Sequence, residues 1–409
     1  MASNNKFPYS CQPDCSVYSN ESDRNPGPGL DSCLVDFVIE FKTAWNQDPF
    51  SREWVESTNN ERNPLMNSAP LAHNVAGQIT AYATMVLGAQ YRTHTFSVLI
   101  IKDYARLIRW DRTGAIVTEP IAYDTESFLF DFFIRYDNVD KEVRGHDLTV
   151  RRASKVEGEA AQEFLEPDAQ EPLLSITIPL PGSEESRQYI VPSPCARPAI
   201  PTGRWTRASI AYDVHRKQRV LLKDSWRLLL DDIHPEGVVY ERLHQNSVPN
   251  VPYCSMASDV AEEYHRSQTD KFASRYWSNP YMHQFTPHRH YHLVLDTIGQ
   301  RLETFKSSRK MVKGLYASLL GKLAQCWQSR NVSLTRITAH RAAYKAGILH
   351  RDLSPGNIML VDSETNIQDG MLIDWDLSKF VGPEDKLNTA RRVTRTVSIA
   401  SGAAFLPRS

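Results

Sequence analysis

The chain has 409 residues, more than one ordinary hydrophobic core holds, so at least two folded units are expected. Its 47 Lys plus Arg nearly balance 48 Asp plus Glu, which excludes a whole-chain field drawing it to nucleic acid or to an anionic membrane. No stretch approaches the roughly 18 apolar residues of a membrane span, and MASNNKFPYSCQPDC lacks a signal-peptide core, so a soluble intracellular protein, cytoplasmic or nuclear, is expected.

In chain order, residues 1–30 are polar, carry a PGPG run, and read as a disordered leader. The six cysteines, Cys11, Cys15, Cys33, Cys195, Cys254 and Cys326, lack paired metal spacing and read as free thiols. Residues 31–150 read as an α/β module. LVDFVIEFK is a strand, a helix follows around residues 76–87, and TFSVLII and ARLIRW are further strands. The turn Asp111 to Gly114 leads on into AIVTEP as a hairpin would, and FLFDFFIRY near residues 128–136 reads as a helix packed on the sheet. Glu40-Phe41-Lys42 at a strand end, with Gln78 and Tyr82 on the following helix, faintly resembles the E-x-K strand of restriction-endonuclease-like nucleases. The preceding acid of such a site stays open between Asp31 and Asp36, and a solvated strand end is the default reading. Residues 151–202 are acidic and proline-containing and read as a linker, with a hairpin possible in LLSITIPL and RQYIVP.

The strongest signal is His350-Arg351-Asp352-Leu353-Ser354-Pro355-Gly356-Asn357, followed by IMLV and by MLIDWD, in which Asp374 ends the short apolar run. Asp352 suits the handling of a hydroxyl proton, while Asn357, five residues on, and Asp374 suit holding magnesium against phosphates. Upstream, Lys223 ends the apolar strand of RVLLKDSW, and Glu236 sits on a helix with Tyr240 and Leu243 on one face, Glu241 being its competitor. A strand Lys paired with a helix Glu is an arrangement that holds nucleotide phosphates. YHLVLDTIGQRLETF reads as a strand and hinge, with Leu295 to Ile298 lining an adenine site. Arg351 offers either a pocket for a phosphate on the next loop, at Ser378, Thr389, Thr394 or Thr396, or bonds to backbone carbonyls. The string His283, His288, His290 and His292 reads as an alternating surface strand rather than a metal site.

These stretches resemble the fungal-type protein kinase family. The resemblance covers GRWTRASIAYDV through RVLLKDSW, the HYHLVLDTIGQRL hinge, AAYKAGILHRDLSPGNIML and GMLIDWDLSKF, and also QYRTHTFSVLIIKDYARLIRWDRTGAIV ahead of them. It implies an α+β chain: the N-terminal α/β module, then a protein-kinase-like two-lobed domain with its N-lobe at 203–298 and an incomplete C-terminal lobe at 299–396. It implies ATP and Mg2+ as cofactors, protein Ser/Thr hydroxyls as acceptors, Asp352, Lys223 and Glu236 as catalytic groups, and Asn357 and Asp374 as metal ligands. Gly203, Lys223, Leu295 and Ile298 would contact the nucleotide. The sequence departs from the usual kinase pattern in having Gly203 as the lone glycine of GRWTRAS, Ser354 where a Lys is usual, and Asp-Trp-Asp at 374–376. The last two are shared with small-molecule phosphotransferases, which are one alternative; a non-catalytic nucleotide-binding scaffold is another. Residues 321–338 interrupt the helix begun by MVKGLYASLL and read as a retained-intron insert, and residues 397–409 read as an aberrant tail. Weak activity of this chain is the corresponding expectation.

Overall fold

A computed structural model describes residues 11–19, 30–50, 66–67, 69–165, 172–180, 182–193, 200–272, 285–302, 339–361 and 369–382. The leader, the insert at 321–338, the tail at 397–409 and His283 lie wholly or mostly outside these residues.

The first sheet has five strands in the order β1 (Cys15–Tyr18), β2 (Val35–Lys42), β3 (Thr95–Ile101), β4 (Tyr104–Trp110) and β5 (Ala115–Val117). Strands β2 and β3 pair in parallel, and the other neighbours are antiparallel. A parallel pair needs a crossover connection, and α1 (Pro70–Ala89) supplies it, opening on proline at its first helical position. Its Val75, Ile79, Ala83 and Leu87 recur every four residues and pack on Leu99, Ile101, Tyr104, Ile108 and Trp110. The opposite face carries Phe37, Val98 and Ala105 and is covered by Leu129 and Tyr136 of α2 (Phe128–Asn138). The alternation of Val98 and Leu99 between the two layers is the two-residue period of a strand buried on both sides.

The second sheet has seven antiparallel strands in the order β11-β12-β10-β9-β8-β7-β6. Its members are β6 (Val150–Arg152), β7 (Leu173–Pro179), β8 (Ser186–Pro192), β9 (Arg207–Asp213), β10 (Gln218–Leu228), β11 (Cys254–Asp259) and β12 (His288–Leu295). The stretch 151–202 is therefore more than a linker: β7 and β8 extend this sheet as the hairpin, and α3 (Lys155–Gln162) packs Ala161 against Ile190 and Tyr212. Its prolines mislead because Pro179 and Pro192 end strands, where a missing N–H is tolerated. Helix α4 (Glu236–Gln245) lies against β11 and β12. Beyond β12, the short strands β13 (Gln300–Arg301), β15 (Ile358–Val361) and β16 (Asp369–Leu372) form one small sheet, while β14 (Ile348–Leu349) pairs with β17 (Lys379–Phe380). These pieces and the helix Ala339–Lys345 share one core with α4, through Val239, Tyr240, Leu243, Leu293, Ile358, Leu372 and Trp375.

The two sheets are joined by polar side chains. Arg207 of β9 donates to Leu87 O at 2.9 Å and Gln90 O at 2.8 Å, satisfying carbonyls at the end of α1. Arg112 is sealed over the rings of Trp205 (4.1 Å) and Trp226 (5.4 Å). Asp111 accepts from Gln268 N at 2.7 Å and Thr269 N at 3.0 Å, both in the segment between β11 and β12. Among the described residues no helix is long and apolar enough to cross a membrane.

Candidate functional site

Strand β10 presents Lys223 on one face and Asp224 on the other, and the Lys223 face looks toward α4 and the segment carrying Asp374. Lys223 Nζ lies 2.7 Å from Glu236 Oε2 and 2.5 Å from Asp374 Oδ1, with Asp376 Oδ2 at 3.6 Å. Glu236 can reach it because the next residue is glycine: a Cβ on Gly237 would stand 2.3 Å from that of Ala257. A larger residue there would lift the start of α4 off the sheet. The other carboxylate oxygen of Glu236 accepts from Trp375 N at 2.9 Å, so the helix also fixes the segment that carries Asp374 and Asp376. Trp375 itself is fully buried, its indole N–H donating to Leu372 O at 3.1 Å. Glu241, the competitor for the ion pair, accepts from Gln245 on the exposed side of α4 instead.

In the loop 350–357, His350 is sealed from solvent. Its Nδ1 accepts from Asp352 N at 3.2 Å, which leaves Nε2 to donate to Ile373 O at 3.0 Å. Burial lowers the pKa of this imidazole, so it is a neutral brace between the loop and the run ending at Asp374. Asn357 Nδ2 donates to Asp352 O at 2.9 Å and to Asp352 Oδ2 at 3.1 Å. The amide oxygen of Asn357, the atom a cation would use, takes no part in those bonds. Arg351 and Asp374 hold left-handed backbone angles, φ 72° and 66°, which non-glycine residues adopt at a cost of about 1–2 kcal/mol. The packing of Trp375 and the bonds of His350 hold them there.

The electrostatics are dominated by carboxylates facing two cations. Burial alone would raise the Asp374 carboxyl, but the Lys223 ammonium and the Arg204 guanidinium outweigh it and hold it below its ordinary range. Burial pushes Glu236 up, the Asp376 and Asp374 charges add to that, and Lys223 opposes them. Lys223 stays protonated, because Glu236, Asp376 and Asp374 offset its desolvation. Breaking a buried pair of this kind costs about 3–5 kcal/mol.

Arg204 and Asp376 are not among the residues singled out from the sequence for this site. Gly203, in the connection between β8 and β9, has φ 97° and donates its N–H to Arg112 O at 2.8 Å. Its left-handed turn sends Arg204 onto Asp376, whose Oδ2 accepts from Arg204 Nη1. A basic residue beside the lone loop glycine and a second Asp two residues after Asp374 were the available signals. Leu295 is buried opposite Leu221, on the same face as Lys223, and Ile298 is half-buried in the chain leading to β13. Arg351 lies 4.0 Å from Asp232, which Lys379 approaches to 3.7 Å. Ser378 is buried, and Thr389, Thr394 and Thr396 lie outside the described residues.

A divalent cation fits the donor set. Asn357, Asp374 and Asp376 offer the oxygen ligands that magnesium takes, and Asp376 Oδ1 is a buried acceptor with no hydrogen-bond partner.

Two other clusters differ from expectation. Glu40 is buried rather than a solvated strand end: it pairs with Lys42 and accepts from Gln78 Nε2 at 2.6 Å, while Gln78 also donates to Tyr82 Oη at 2.7 Å. Neither acid weighed as its companion is there. Asp36 binds Arg92 and His146, and Asp31 N donates to Tyr18; Asp14 is the acid beside Glu40, accepting from Phe41 N at 2.9 Å. The histidines of β12 are also not on the surface: His288, His290 and His292 are at most 7 % exposed. Strand β12 lies between β10 and β11, so its polar face is covered too, by the first unit and the segment between β11 and β12.

A search of curated proteins finds no match to this chain. The family model described as fungal protein kinase matches residues 65–403, a span that takes in α1 and strands β3–β5 of the first sheet as well as the whole of the site. With most of its length so matched, the chain belongs to the fungal protein kinase family.

Proposed function

We propose that this protein transfers the terminal phosphoryl group of ATP to Ser or Thr hydroxyls of a protein, with Mg2+ at Asn357, Asp374 and Asp376. The observation that carries the reading is the convergence of Glu236, Asp374 and Asp376 on the Lys223 ammonium, at 2.7, 2.5 and 3.6 Å, with the residue before Asp374 bonded to the Asn357 backbone. Magnesium bound there would offset charge on the phosphates and hold them in line. Lys223, fixed by Glu236, supplies a positive charge to the phosphates; Arg204 adds a second from the connection between β8 and β9. Asp352, held by Asn357, accepts or orients the proton of the attacking hydroxyl. Leu295 and Ile298 offer an apolar edge for the adenine.

The test is transfer of labelled γ-phosphate from ATP to a protein by the purified chain. Asp352→Asn should abolish transfer yet keep Mg2+-dependent ATP binding, and a variant that transfers as fast as wild type would sink the assignment. Ser354 and the second Asp of Asp-Trp-Asp favour a small hydroxylated molecule as the second reading. Transfer to aminoglycosides or choline, with none to protein, would select it.

A further inference from the structure

Behind Lys223, on the opposite face of β10, lies a cluster of imidazoles and carboxylates that the phosphotransfer reading does not use. Asp224 stands directly across from His292 in the pairing of β10 with β12, and His290 is two residues away on the same face. Asp224 Oδ2 lies 2.9 Å from His290 Nε2 and 3.3 Å from His292 Nε2. All three residues are at most 3 % exposed. His290 is held flat against Trp226, with ring centroids 5.1 Å apart, and its other nitrogen lies 2.9 Å from His265 Nδ1. Asp147 of the preceding segment completes the surroundings, 3.6 Å from His290 and 3.7 Å from His265.

His292 is the anomaly. Both of its ring nitrogens are sealed from solvent; Nδ1 has no partner, and Nε2 faces only Asp224 Oδ2, at 3.3 Å and outside good hydrogen-bond geometry. A buried polar atom left so costs about 1–3 kcal/mol, and native structures rarely tolerate it without an ion or water to satisfy it. The separations from Asp224 Oδ2 suit co-ligands: donors about 2.0–2.1 Å from a tetrahedral ion stand about 3.3 Å from one another. We propose that Asp224, His290 and His292 bind a zinc-class divalent cation that ties β10 to β12 behind the nucleotide site.

Two imidazole nitrogens and one carboxylate oxygen are a zinc-type donor set, leaving one position for water. The His265 contact to the second nitrogen of His290 is the outer support that metal-bound histidines usually have. Charge is compatible: the buried carboxylates of Asp224, Asp147 and Asp111 crowd this region, and the nearby Arg112 cation, which feels Asp224 and then Asp111, offsets them only in part. Asp147 is the weaker ligand candidate, because its Oδ1 already accepts from Thr149 N and Oγ1 at 2.9 and 2.6 Å.

The experiment measures zinc retained by the full chain after dialysis, and the visible spectrum after cobalt substitution. Wild type should keep about one equivalent per chain, and the cobalt form should show visible ligand-field bands without a thiolate charge-transfer band. Asp224→Asn and His292→Gln should each lower retained zinc by roughly tenfold or more, while the exposed-site variant His215→Gln and the phosphate-site variant Asp374→Asn should retain it. Absence of stoichiometric metal in wild type overturns the proposal, as does full retention in both cluster variants. A thiolate band in the cobalt spectrum overturns it too, and that readout needs no folded variant.

Discussion

Replacing Asp111 with Asn should destabilise the two sheets together. Asp111 Oδ1 accepts from Thr113 N at 2.9 Å, Gly114 N at 3.3 Å and Thr269 Oγ1 at 2.9 Å. Its Oδ2 accepts from Gln268 N at 2.7 Å, Thr269 N at 3.0 Å and Arg109 Nη1 at 2.9 Å. An asparagine has one acceptor oxygen, so one set of backbone donors must face an NH2 group. If its oxygen stays with Gln268 and Thr269, the amides of Thr113 and Gly114 are stranded; the reverse orientation strands the other two. Each stranded donor costs about 1–3 kcal/mol, with the lower half applying to half-buried Thr113 and Gly114. The expected loss is therefore about 2–4 kcal/mol, or a fall in Tm of about 2–5 °C for a chain of this size. Thermal unfolding followed by circular dichroism and by tryptophan fluorescence checks it, since Trp205 and Trp226 both border Arg112 where the units meet. Both probes should move together. A shift below about 1 °C, or a fluorescence transition left in place while the first sheet melts earlier, would refute the reasoning.

In a thermal-shift assay, Asp374→Asn should remove the magnesium-dependent part of ATP stabilisation, which for wild type is about 2.7 kcal/mol at a hundredfold excess over Kd; an undiminished magnesium effect counts against the ligand assignment. Trp375→Ala should cost about 3–5 kcal/mol in urea unfolding through the cavity it leaves, whereas Trp375→Phe, which keeps the backbone N–H on Glu236, should cost far less. Arg204→Met should weaken ATP binding by roughly tenfold, the worth of a hydrogen bond to a charged group; calorimetric titration giving an unchanged Kd would remove Arg204 from the site. Acid should act through Asp36 and Asp111. Burial would raise both carboxyls, but His146 and Arg92 around Asp36, and Arg109 with the amide donors around Asp111, hold them low in the folded state. Depressed groups contribute stability that is complete above the unfolded value of about 3.9 and is lost as pH falls below it. Buried histidines add an earlier loss: burial holds His94, His265, His288 and His350 below the ordinary imidazole range, so they take up protons on unfolding. The midpoint should start to fall below about pH 6.5 and fall further below about 4, where Asp111→Asn should flatten the drop.

Strands β2 to β5 and the two helices of the first unit were legible because their signals are local. Val98 and Leu99 alternate, Val75 to Leu87 recur every four residues, and the Asp111–Gly114 turn separates two apolar runs. Within the His350–Asn357 run, the local spacing likewise marked out residues that hydrogen-bond to one another, Asp352 N to His350 and Asn357 to Asp352. What escaped notice depends on which strands are neighbours. The histidines of β12 alternate as a half-solvated strand would, and only the knowledge that β12 is central and covered by another unit makes them buried. Arg204 reaches Asp376 across 172 positions of sequence, and no local pattern encodes that meeting. Asp14 escaped as the neighbour of Glu40 because β1 was hidden in sequence as polar as the leader.

Strand β10 shows how the first unit bears on the position of Lys223. Lys223 and Asp224 are adjacent, so they face opposite sides, one toward the carboxylates of the site and the other toward His290 and His292. Slipping the pairing with β12 by one residue would exchange them, turning an aspartate into a cleft already holding Glu236, Asp374 and Asp376, and burying a lysine against Arg112. A sheet with one solvated face would resist that slip only from the other side. Here the first unit closes the back face, through Arg207 on α1, Asp111 on Thr269 and Thr113 on His288, so the charges on both faces select the same register. The position of Lys223 is thus set as much by what covers Asp224 as by Glu236.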